Sequence, residues 1–291
     1  EDAMRREIPV EVDLTPPERW HVLGTPLQNV NARAIVTGSL KYSSDIRLPG
    51  MLAGKVIRAY AYRADLVSYH SSAAERLPGV QVVREGNFLG VIAPNDSAAR
   101  KAAALVRAEW RATPLIEPPE LFAHFKKTAV APVANWKTRY PPLLEKGSVE
   151  EGLKAAAKRH QATYTLRNIA HVPMEPRAAA AAWSDEGLTV HCGTQVPFVL
   201  RKQLAGAFGI PEEQVRVIVS DTGTGFGGKH GPEVMLEAAR LAKAAGKPVR
   251  VAWSREEEFV CSYCRPAGVI EVCSGLDETS RIVAWDFHNY N

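Results

Sequence analysis

The spacing of apolar and polar residues predicts alternating strands and helices in the first half of the chain. Short runs of apolar and β-branched residues indicate strands at 52–58, 79–83 and 88–93, and a polar stretch follows the first of them. An alanine-rich stretch at 97–110 has apolar residues at helical spacing, and Asp96 before it is a suitable N-cap. Strands that alternate with helices in this way indicate a small α/β or α+β domain.

The second half of the chain also mixes strands with helices. Further strands are predicted at 161–166, 178–183, 188–192, 214–219 and 249–253. Helices are predicted at 149–159, 198–208 and 232–245. Gly209 and Gly246 directly follow the last two helices, where glycine is common because it adopts the left-handed backbone conformation that ends a helix.

Proline content and the change in pattern divide the chain into four parts. Residues 1–30 are rich in proline and charge, and we expect them to form an extended lead-in. We expect an α/β domain at 31–120 and a proline-rich linker at 121–147, because proline lacks the N–H that ladders and helix interiors need. A second domain is expected at 148–291.

Composition excludes some classes of protein. The chain has 291 residues, of which 46% are hydrophobic and 23% charged, and this is ordinary for a globular protein with two domains. The net charge of +4 comes from scattered basic residues rather than a basic stripe, so we expect no nucleic-acid partner. No run of about 18 apolar residues occurs, so we expect no membrane span. The first six residues lack the apolar segment of a signal peptide.

Four cysteines raise the question of a metal site. Cys261 and Cys264 have the spacing of half a zinc or redox site, but Cys192 and Cys273 do not supply a second pair. We therefore expect ordinary packing of these residues and no iron–sulfur cluster in this chain, with metal binding as the alternative.

A glycine-rich loop is the clearest chemical feature. The segment Gly223-Thr-Gly-Phe-Gly-Gly-Lys229 follows a predicted strand and precedes a predicted helix. Glycine allows the backbone to approach a ligand closely, and successive N–H groups near a helix start can bind an anion or a metal-bound oxygen. The pattern G-x-G-x-x-G also fits a dinucleotide site, although such a site normally lies in the first strand–helix unit of its domain. A tight turn without a ligand is the third interpretation.

Five motifs in a fixed order carry a resemblance to a known family. They are Gly38-Ser-Leu-Lys-Tyr-Ser-Ser-Asp-Ile-Arg-Leu-Pro-Gly50, His171-Val-Pro-Met-Glu-Pro-Arg177, Gly193-Thr-Gln-Val-Pro197, Thr222-Gly-Thr-Gly-Phe-Gly-Gly-Lys229 and Val249-Arg-Val-Ala-Trp-Ser-Arg-Glu-Glu-Glu-Phe259. Together they resemble the large subunit of the xanthine dehydrogenase and aldehyde oxidase family of molybdenum hydroxylases. The nearest subgroup contains isoquinoline 1-oxidoreductase, nicotinate dehydrogenase and aldehyde dehydrogenase types. The implied α+β fold is a small hammerhead-type α/β domain followed by the first part of a molybdopterin-binding domain.

The resemblance implies a cofactor-binding role for two segments. Gln195 matches a glutamine that hydrogen-bonds a molybdenum oxo ligand or the pterin, although it could instead tie down the turn at Pro197. The loop that approaches the metal from its apical side matches Gly225, Phe226, Gly227 and Gly228. Phe226 is expected to form a wall of the substrate pocket, with a place in the protein core as the alternative.

Three other residues have weaker predictions. His230 stands where xanthine dehydrogenases have a glutamate that orients a purine, so a purine substrate is not expected. His230 could bind an aromatic or anionic substrate, or face the solvent at the start of a helix. His171 and Glu175 are assigned to packing and backbone positioning.

The implied activity is hydroxylation of an aldehyde or N-heteroaromatic carbon with water as the oxygen source. The cofactor would be molybdenum-molybdopterin, for which a cytosine dinucleotide form is one option. Electrons would leave through a partner subunit with [2Fe–2S] clusters and then a cytochrome or another acceptor. No segment matches the family's G-x-G-E-type catalytic glutamate, so we expect an inactive chain that needs a C-terminal portion or a second large-subunit piece. The compartment, bacterial periplasm or cytoplasm, stays open. A non-catalytic binding or assembly module and a nucleotide-binding oxidoreductase are the alternative functions.

Overall fold

A computed structural model describes residues 11–59, 61, 63–130 and 144–291 of the chain. The first ten residues of the predicted lead-in and the larger part of the predicted linker lie outside the described residues.

The described residues form two compact units, which are separated between Leu40 and Lys41. The smaller unit contains one turn of 3-10 helix at Pro17–Arg19, which begins with a proline, and a short helix α1 at Ala32–Val36. Neither helix contains a buried residue.

The larger unit holds the remaining strands and helices. The strands are β1 (Leu52–Val56), β2 (Ala64–His70), β3 (Gln81–Glu85), β4 (Phe88–Ala93), β5 (Arg107–Ala112), β6 (Lys158–Leu166), β7 (Ala178–Ser184), β8 (Gly187–Cys192), β9 (Val215–Val219), β10 (Val249–Ala252), β11 (Gly268–Leu276) and β12 (Ile282–Tyr290). The helices are α2 (Ser72–Glu75), α3 (Asp96–Leu105), α4 (Leu121–Thr128), α5 (Val149–Ala155), α6 (Pro197–Phe208), α7 (Glu233–Ala245) and α8 (Arg255–Cys261).

The main sheet joins strands from both halves of the larger unit. Among the described residues it has seven strands in the order β3-β4-β1-β10-β7-β8-β9. Strand β1 pairs antiparallel with β4 on one side and parallel with β10 on the other. At the other end of the sheet β8 and β9 are parallel, and helix α6 makes the crossover that a parallel pair needs. The sheet therefore contains strands from both predicted domains. The boundary between these domains stays a prediction.

The core lies on both faces of this sheet. In β4 the alternate residues Phe88 and Ile92 pack in the cluster that includes α7, while Leu89 and Val91 pack in the cluster that includes α3. Because successive side chains of a strand point to opposite faces, this alternation explains why all six residues of β4 are buried. Helix α7 has the apolar stripe of a core helix, with Leu241 fully buried beneath β1 and β4.

Two small sheets complete the larger unit. Strands β12, β11 and β6 form a three-stranded antiparallel sheet, and β2 pairs with β5. Helix α4 packs against β11, where Lys126 Nζ lies 2.6 Å from Glu271 Oε1.

Two helices are shorter than the sequence predicts. The helix predicted at 97–110 ends at Leu105, and its N-cap is Asn95, whose side chain accepts the Ala98 N–H at 2.9 Å, so the prediction of Asp96 was wrong. Residues Arg107–Ala112 form β5 instead, because β2 offers them a hydrogen-bonded partner that the local pattern does not show. The helix predicted at 149–159 likewise ends early, and β6 begins at Lys158 to pair with β11.

Several elements were not predicted, and two of them lie in segments that are polar or rich in proline. Strand β2 lies in the predicted polar stretch, and α4 lies inside the predicted linker. Strands β11 and β12 and helix α8 were not predicted either. The two helix-ending glycines were predicted correctly, since Gly209 and Gly246 have φ of 64° and 59°.

Candidate functional site

Three chain segments meet at one edge of the main sheet. Strands β8 and β9 are parallel and end there, and the antiparallel β7 begins there, since Ala179 pairs with Cys192. The residues before β7, after β8 and after β9 are therefore neighbours in space. These are the motifs at 171–177, 193–197 and 222–229 that the sequence singled out. Sheet pairing thus brings together the predicted cofactor-binding residues.

The glycine loop has an unusual backbone. Thr224, Phe226 and Gly227 have φ of 64°, 51° and 83°, all in the left-handed region. Residues with a side chain adopt this region at a cost of about 1–2 kcal/mol each. Such a loop keeps its shape only when the surrounding structure determines it, and backbone strain of this kind is concentrated at functional sites.

A buried ion pair holds both ends of the loop. Lys229 is 2% exposed, and its Nζ lies 2.7 Å from Glu175 Oε2. The same carboxylate accepts the N–H of Gly223 at 2.9 Å through Oε2 and the N–H of Ser43 at 3.0 Å through Oε1. Glu175 therefore positions backbone, which is the role that the sequence assigned to it. The sequence did not single out Lys229, although a lysine beside a glycine loop is a signal for such a pair.

Gln195 is turned toward the loop. Its Oε1 accepts the N–H of Lys229 at 3.3 Å, and its own N–H donates to the Lys229 carbonyl at 3.2 Å. A Cβ on Gly225 would lie only 2.6 Å from Gln195 Oε1, so this approach requires glycine. The turn before Pro197 is held by Thr194, whose Oγ1 accepts the Val196 N–H at 3.1 Å. Gln195 is exposed, and its Nε2 has no partner among the described residues.

Side chains from two other segments contact the loop carbonyls. Arg177 is 3% exposed and bonds both the Gly228 carbonyl and the carboxylate of Glu258 in α8. The hydroxyl of Tyr263 donates to the Gly227 carbonyl. The roles of Arg177, Glu258 and Tyr263 were not predicted from the sequence, because no regular spacing connects these residues with the loop.

The tip of the loop presents unused N–H groups. Within the described part of the chain, no group accepts the N–H of Gly225, Phe226 or Gly227. Phe226 is 67% exposed, so the alternative that it is a core residue is wrong. Successive free N–H groups form a concave donor surface that binds anions or metal-bound oxygens. The loop can therefore bind a ligand through its main chain.

His230 and two of the cysteines were the other candidates that the sequence offered. His230 is exposed just before α7, a position compatible with both of its predicted roles. Cys192 is fully buried in the core, and burial raises the pKa of its thiol to about 12. Cys261 ends α8, and burial raises its pKa to about 11. Within the described ranges no three His, Cys, Asp or Glu side chains are grouped closely enough to hold a metal ion.

Comparison with known families identifies the kind of domain. Residues 134–291, just over half of the chain, match the model of the molybdopterin cofactor-binding domain. The chain belongs to the molybdopterin cofactor-binding family. The matched residues include the glycine loop, Gln195 and Arg177, so the resemblance seen in the motifs is confirmed.

Curated proteins similar to this chain include dehydrogenase subunits. The chain is 30% identical to a probable xanthine dehydrogenase subunit of Bacillus subtilis, over 88% of this chain and 38% of the relative. It is also 30% identical to a nicotinate dehydrogenase subunit of Pseudomonas putida, over 93% of this chain and 23% of the relative. The match with the nicotinate dehydrogenase large molybdopterin subunit of Eubacterium barkeri is 28% identical and covers 69% of that protein. The chain thus spans less than two fifths of the first two relatives.

Two solved structures share the fold of this chain. Quinoline 2-oxidoreductase from Pseudomonas putida 86 matches 91% of this chain and 39% of its own, with a TM-score of 0.74 and 24% identity. Carbon monoxide dehydrogenase from Oligotropha carboxidovorans matches with a TM-score of 0.75 and 21% identity, over 91% of this chain and 39% of its own. The predicted mixed α+β fold is confirmed. No helix within the described ranges is long and apolar enough to cross a membrane.

Proposed function

We propose that this chain forms the glycine-loop part of a molybdenum-cofactor site in an oxidoreductase. The reaction is hydroxylation of an aldehyde or N-heteroaromatic carbon with water as the oxygen source. The observation that supports this proposal is the loop tip, where the N–H groups of Gly225, Phe226 and Gly227 have no acceptor among the described residues. Membership of the molybdopterin cofactor-binding family supports the choice of ligand.

The residues at the site fit such a cofactor. An oxo group needs hydrogen-bond donors, and the loop offers three main-chain donors next to the free Nε2 of Gln195. The glycines also allow the loop to pack tightly on itself and on Gln195, since a Cβ on Gly228 would lie 2.9 Å from the Gly225 carbonyl oxygen. Donors fixed before the ligand arrives avoid the entropy cost of ordering them.

Each residue then has a defined task. When bound, the molybdenum cofactor supplies the two-electron oxidation, while the protein supplies position and electrostatics. Gln195 and the N–H groups of residues 225–227 would hold the oxygen ligands of the cofactor through hydrogen bonds. The exposed ring of Phe226 forms one wall of the substrate pocket, and His230 contacts the far end of the substrate.

The rest of the activity is supplied by other parts of the enzyme. Since the chain spans 38% of its Bacillus subtilis relative, we assign the catalytic glutamate and much of the pterin pocket to a C-terminal portion or a second large-subunit piece. The pterin carries a cytosine dinucleotide. A partner subunit with [2Fe–2S] clusters would accept the electrons and pass them to a cytochrome or another acceptor.

Metal and pterin analysis of the complete enzyme tests the proposal. We expect about one molybdenum and one pterin for each copy of this chain, with cytosine monophosphate released on acid hydrolysis. Gly225→Ala should lower the molybdenum content at least fivefold, because the new Cβ displaces Gln195. Gly206→Ala is the matched control, since Gly206 is exposed in α6 with no atom within 4 Å of a new Cβ. A wild-type enzyme without molybdenum or pterin would contradict the proposal and favour a non-catalytic assembly module.

A further inference from the structure

The carbonyl groups of Gly227 and Gly228 are both held by side chains from outside the loop. Tyr263 donates its hydroxyl proton to the first carbonyl, and the Arg177 guanidinium donates to the second. Tyr263 follows α8, and Arg177 lies at the start of β7. Two separate parts of the chain therefore fix two adjacent peptide groups of the loop.

The direction of the Arg177 side chain is tightly determined. Glu258 is 3% exposed and bonds Arg177 twice, accepting its backbone N–H at 3.0 Å and also its guanidinium. The guanidinium carbon lies 5.4 Å from the centre of the Trp253 ring, close enough for a cation–π interaction. A charged pair that is this deeply buried holds its geometry, because separating it would leave an uncompensated charge.

Tyr263 is positioned by an aromatic contact. Its ring meets the His171 ring edge to face, with centroids 5.2 Å apart and an angle of 63°. His171 itself lies under the loop, where a Cβ on Gly228 would be 2.9 Å from its ring. His171 thus contacts both the loop at Gly228 and the ring of Tyr263, whose hydroxyl bonds the Gly227 carbonyl.

Holding these carbonyls decides where the N–H groups point. A peptide group is planar and trans, so its carbonyl and its N–H point in opposite directions. Fixing the Gly227 and Gly228 carbonyls fixes the N–H groups of Gly228 and Lys229, which bond Gly225 and Gln195. Because the Gly228 N–H bonds the Gly225 carbonyl at 2.7 Å, the same argument extends to the next peptide group, which carries the Phe226 N–H at the tip of the loop.

We propose that Arg177, Glu258 and Tyr263 are positioning residues that set the geometry of the glycine loop toward its ligand. The link to a molybdenum ligand rests on the proposed function. We call the contacts of Arg177 and Tyr263 with the Gly228 and Gly227 carbonyls, together with Glu258, the clamp. The clamp consists only of protein groups and does not depend on the cofactor. Its two consequences can therefore be measured separately.

Amide hydrogen exchange tests the clamp without reference to the cofactor. Tyr263→Phe removes the hydroxyl and keeps the ring on His171. We expect exchange of the Gly228 and Lys229 amides to become about fivefold faster, the factor for one hydrogen bond of ordinary strength. Tyr164→Phe is the matched control, because Tyr164 is half exposed on β6 and loses only a hydroxyl there. Equal exchange rates in the two variants would overturn the clamp.

Spectroscopy and kinetics of the complete enzyme test the consequence for the ligand. For Tyr263→Phe we expect unchanged molybdenum content, a shifted Mo(V) paramagnetic resonance spectrum, and a roughly five- to tenfold lower kcat with KM altered less than twofold. Arg177→Lys keeps the positive charge beside Glu258, and we expect it to change the Mo(V) spectrum and kcat in the same direction as Tyr263→Phe does. Faster exchange with an unaltered spectrum and kcat would overturn the positioning role. A wild-type enzyme without molybdenum would instead refute the proposed function, and the exchange result would still decide the clamp.

Discussion

Lys229 uses all of its polar groups to hold the glycine loop. Its side chain pairs with Glu175 at 2.7 Å, its N–H donates to Gln195, and its carbonyl accepts from Gln195 and from Thr194 Oγ1. Burial makes these contacts strong, because no water competes for them. The loop and its two neighbouring segments therefore depend on one residue.

Replacing the lysine should be costly. Lys229→Met leaves the largely buried carboxylate of Glu175, 10% exposed, with only backbone donors, and we expect the free energy of unfolding to fall by about 3 kcal/mol. The measurement is urea denaturation followed by circular dichroism. Lys154→Met is the control, since its pair with Glu150 is exposed and such pairs contribute little. Equal midpoints for the two variants would show that the buried pair has no special role.

The buried thiol of Cys192 makes stability depend on alkaline pH. Burial raises the pKa of Cys192 to about 12, whereas an unfolded cysteine titrates near pH 8.5. Above that pH the unfolded chain releases a proton that the folded chain keeps, so stability falls as pH rises. We expect a loss of about 2 kcal/mol between pH 7 and pH 10 from this group. The measurement is urea denaturation of the wild type and Cys192→Ala at pH 7 and pH 10, and the variant should lose about 2 kcal/mol less than the wild type. The same pH dependence in both proteins would contradict this prediction.

Sequence reasoning at the residue scale succeeded where a residue type is tied to a backbone shape. Gly225 and Gly228 could be predicted as site residues because a side chain at either position would collide with the protein. Gln195 could be predicted from the motif that contains it. Tyr263 and Arg177 were not assigned to the loop, because their partners are carbonyl groups. Any residue in a glycine loop offers a carbonyl, so the sequence carries no signal for these contacts.

Helix α8 is short, and its ends determine whether it forms. Ser254 caps it by accepting the Glu257 N–H at 3.1 Å, while Glu257 accepts the Ser254 N–H at 2.7 Å. Glu257 also pairs with Lys55 of β1. Burial raises the pKa of the Glu257 carboxyl, but the hydrogen bonds from Lys55 and from the Ser254 N–H lower it by a larger amount. The pKa of Glu257 therefore lies below the ordinary glutamate value. The stabilisation that ionised Glu257 gives through Lys55 and the Ser254 N–H is therefore present at neutral pH. It is lost as the pH falls below the ordinary glutamate range and the carboxylate is protonated.

Removing the cap should loosen the glycine loop as well as the helix. Ser254→Ala is expected to cost about 1 kcal/mol and to speed amide exchange in α8 and in residues 223–229, because α8 carries Glu258. Ser148→Ala is the matched control, since Ser148 caps the equally short α5 by accepting the Glu151 N–H at 3.2 Å. That variant should speed exchange in α5 alone. Loop exchange that responds equally to both would mean that α8 does not support the loop.

Elements were predictable where their pattern is local. Helices α6 and α7 have an apolar stripe and an ending glycine, and both were found nearly to their bounds. Strand β5 was assigned to a helix, because Arg107–Ala112 takes its structure from pairing with β2 rather than from its own composition. Long-range pairing of this kind leaves little trace in a single sequence.

At the scale of the whole molecule, β1 joins two parts of the sheet. It lies between β4 and β10, and its Gly54 faces a crowded position. A Cβ on Gly54 would lie 2.5 Å from Leu241 Cδ1 and 3.0 Å from Val249 Cγ1. Strand β1 therefore needs a glycine where α7 crosses beneath it.

One substitution should then disturb both parts of the sheet together. We expect Gly54→Ala to destabilise the fold by about 1–3 kcal/mol through overpacking. Hydrogen exchange followed by mass spectrometry should show equal loss of protection in β4 and β7. The control Gly206→Ala should leave both protected. Loss confined to β4 would mean that the two parts unfold independently.

The place of β1 in the sheet also governs how the chain is made. Leu52 pairs with Val249, and ribosomes add roughly 5–20 residues per second, so β1 waits roughly 10 to 40 s for that partner to be synthesised. During this time one side of β1 shows unpaired N–H and C=O groups, the kind of edge that pairs with other chains. Nascent chains on neighbouring ribosomes of one messenger RNA would carry the same open edge at the same moment. Chaperone binding before residue 249 emerges is therefore expected to decide the yield of folded protein.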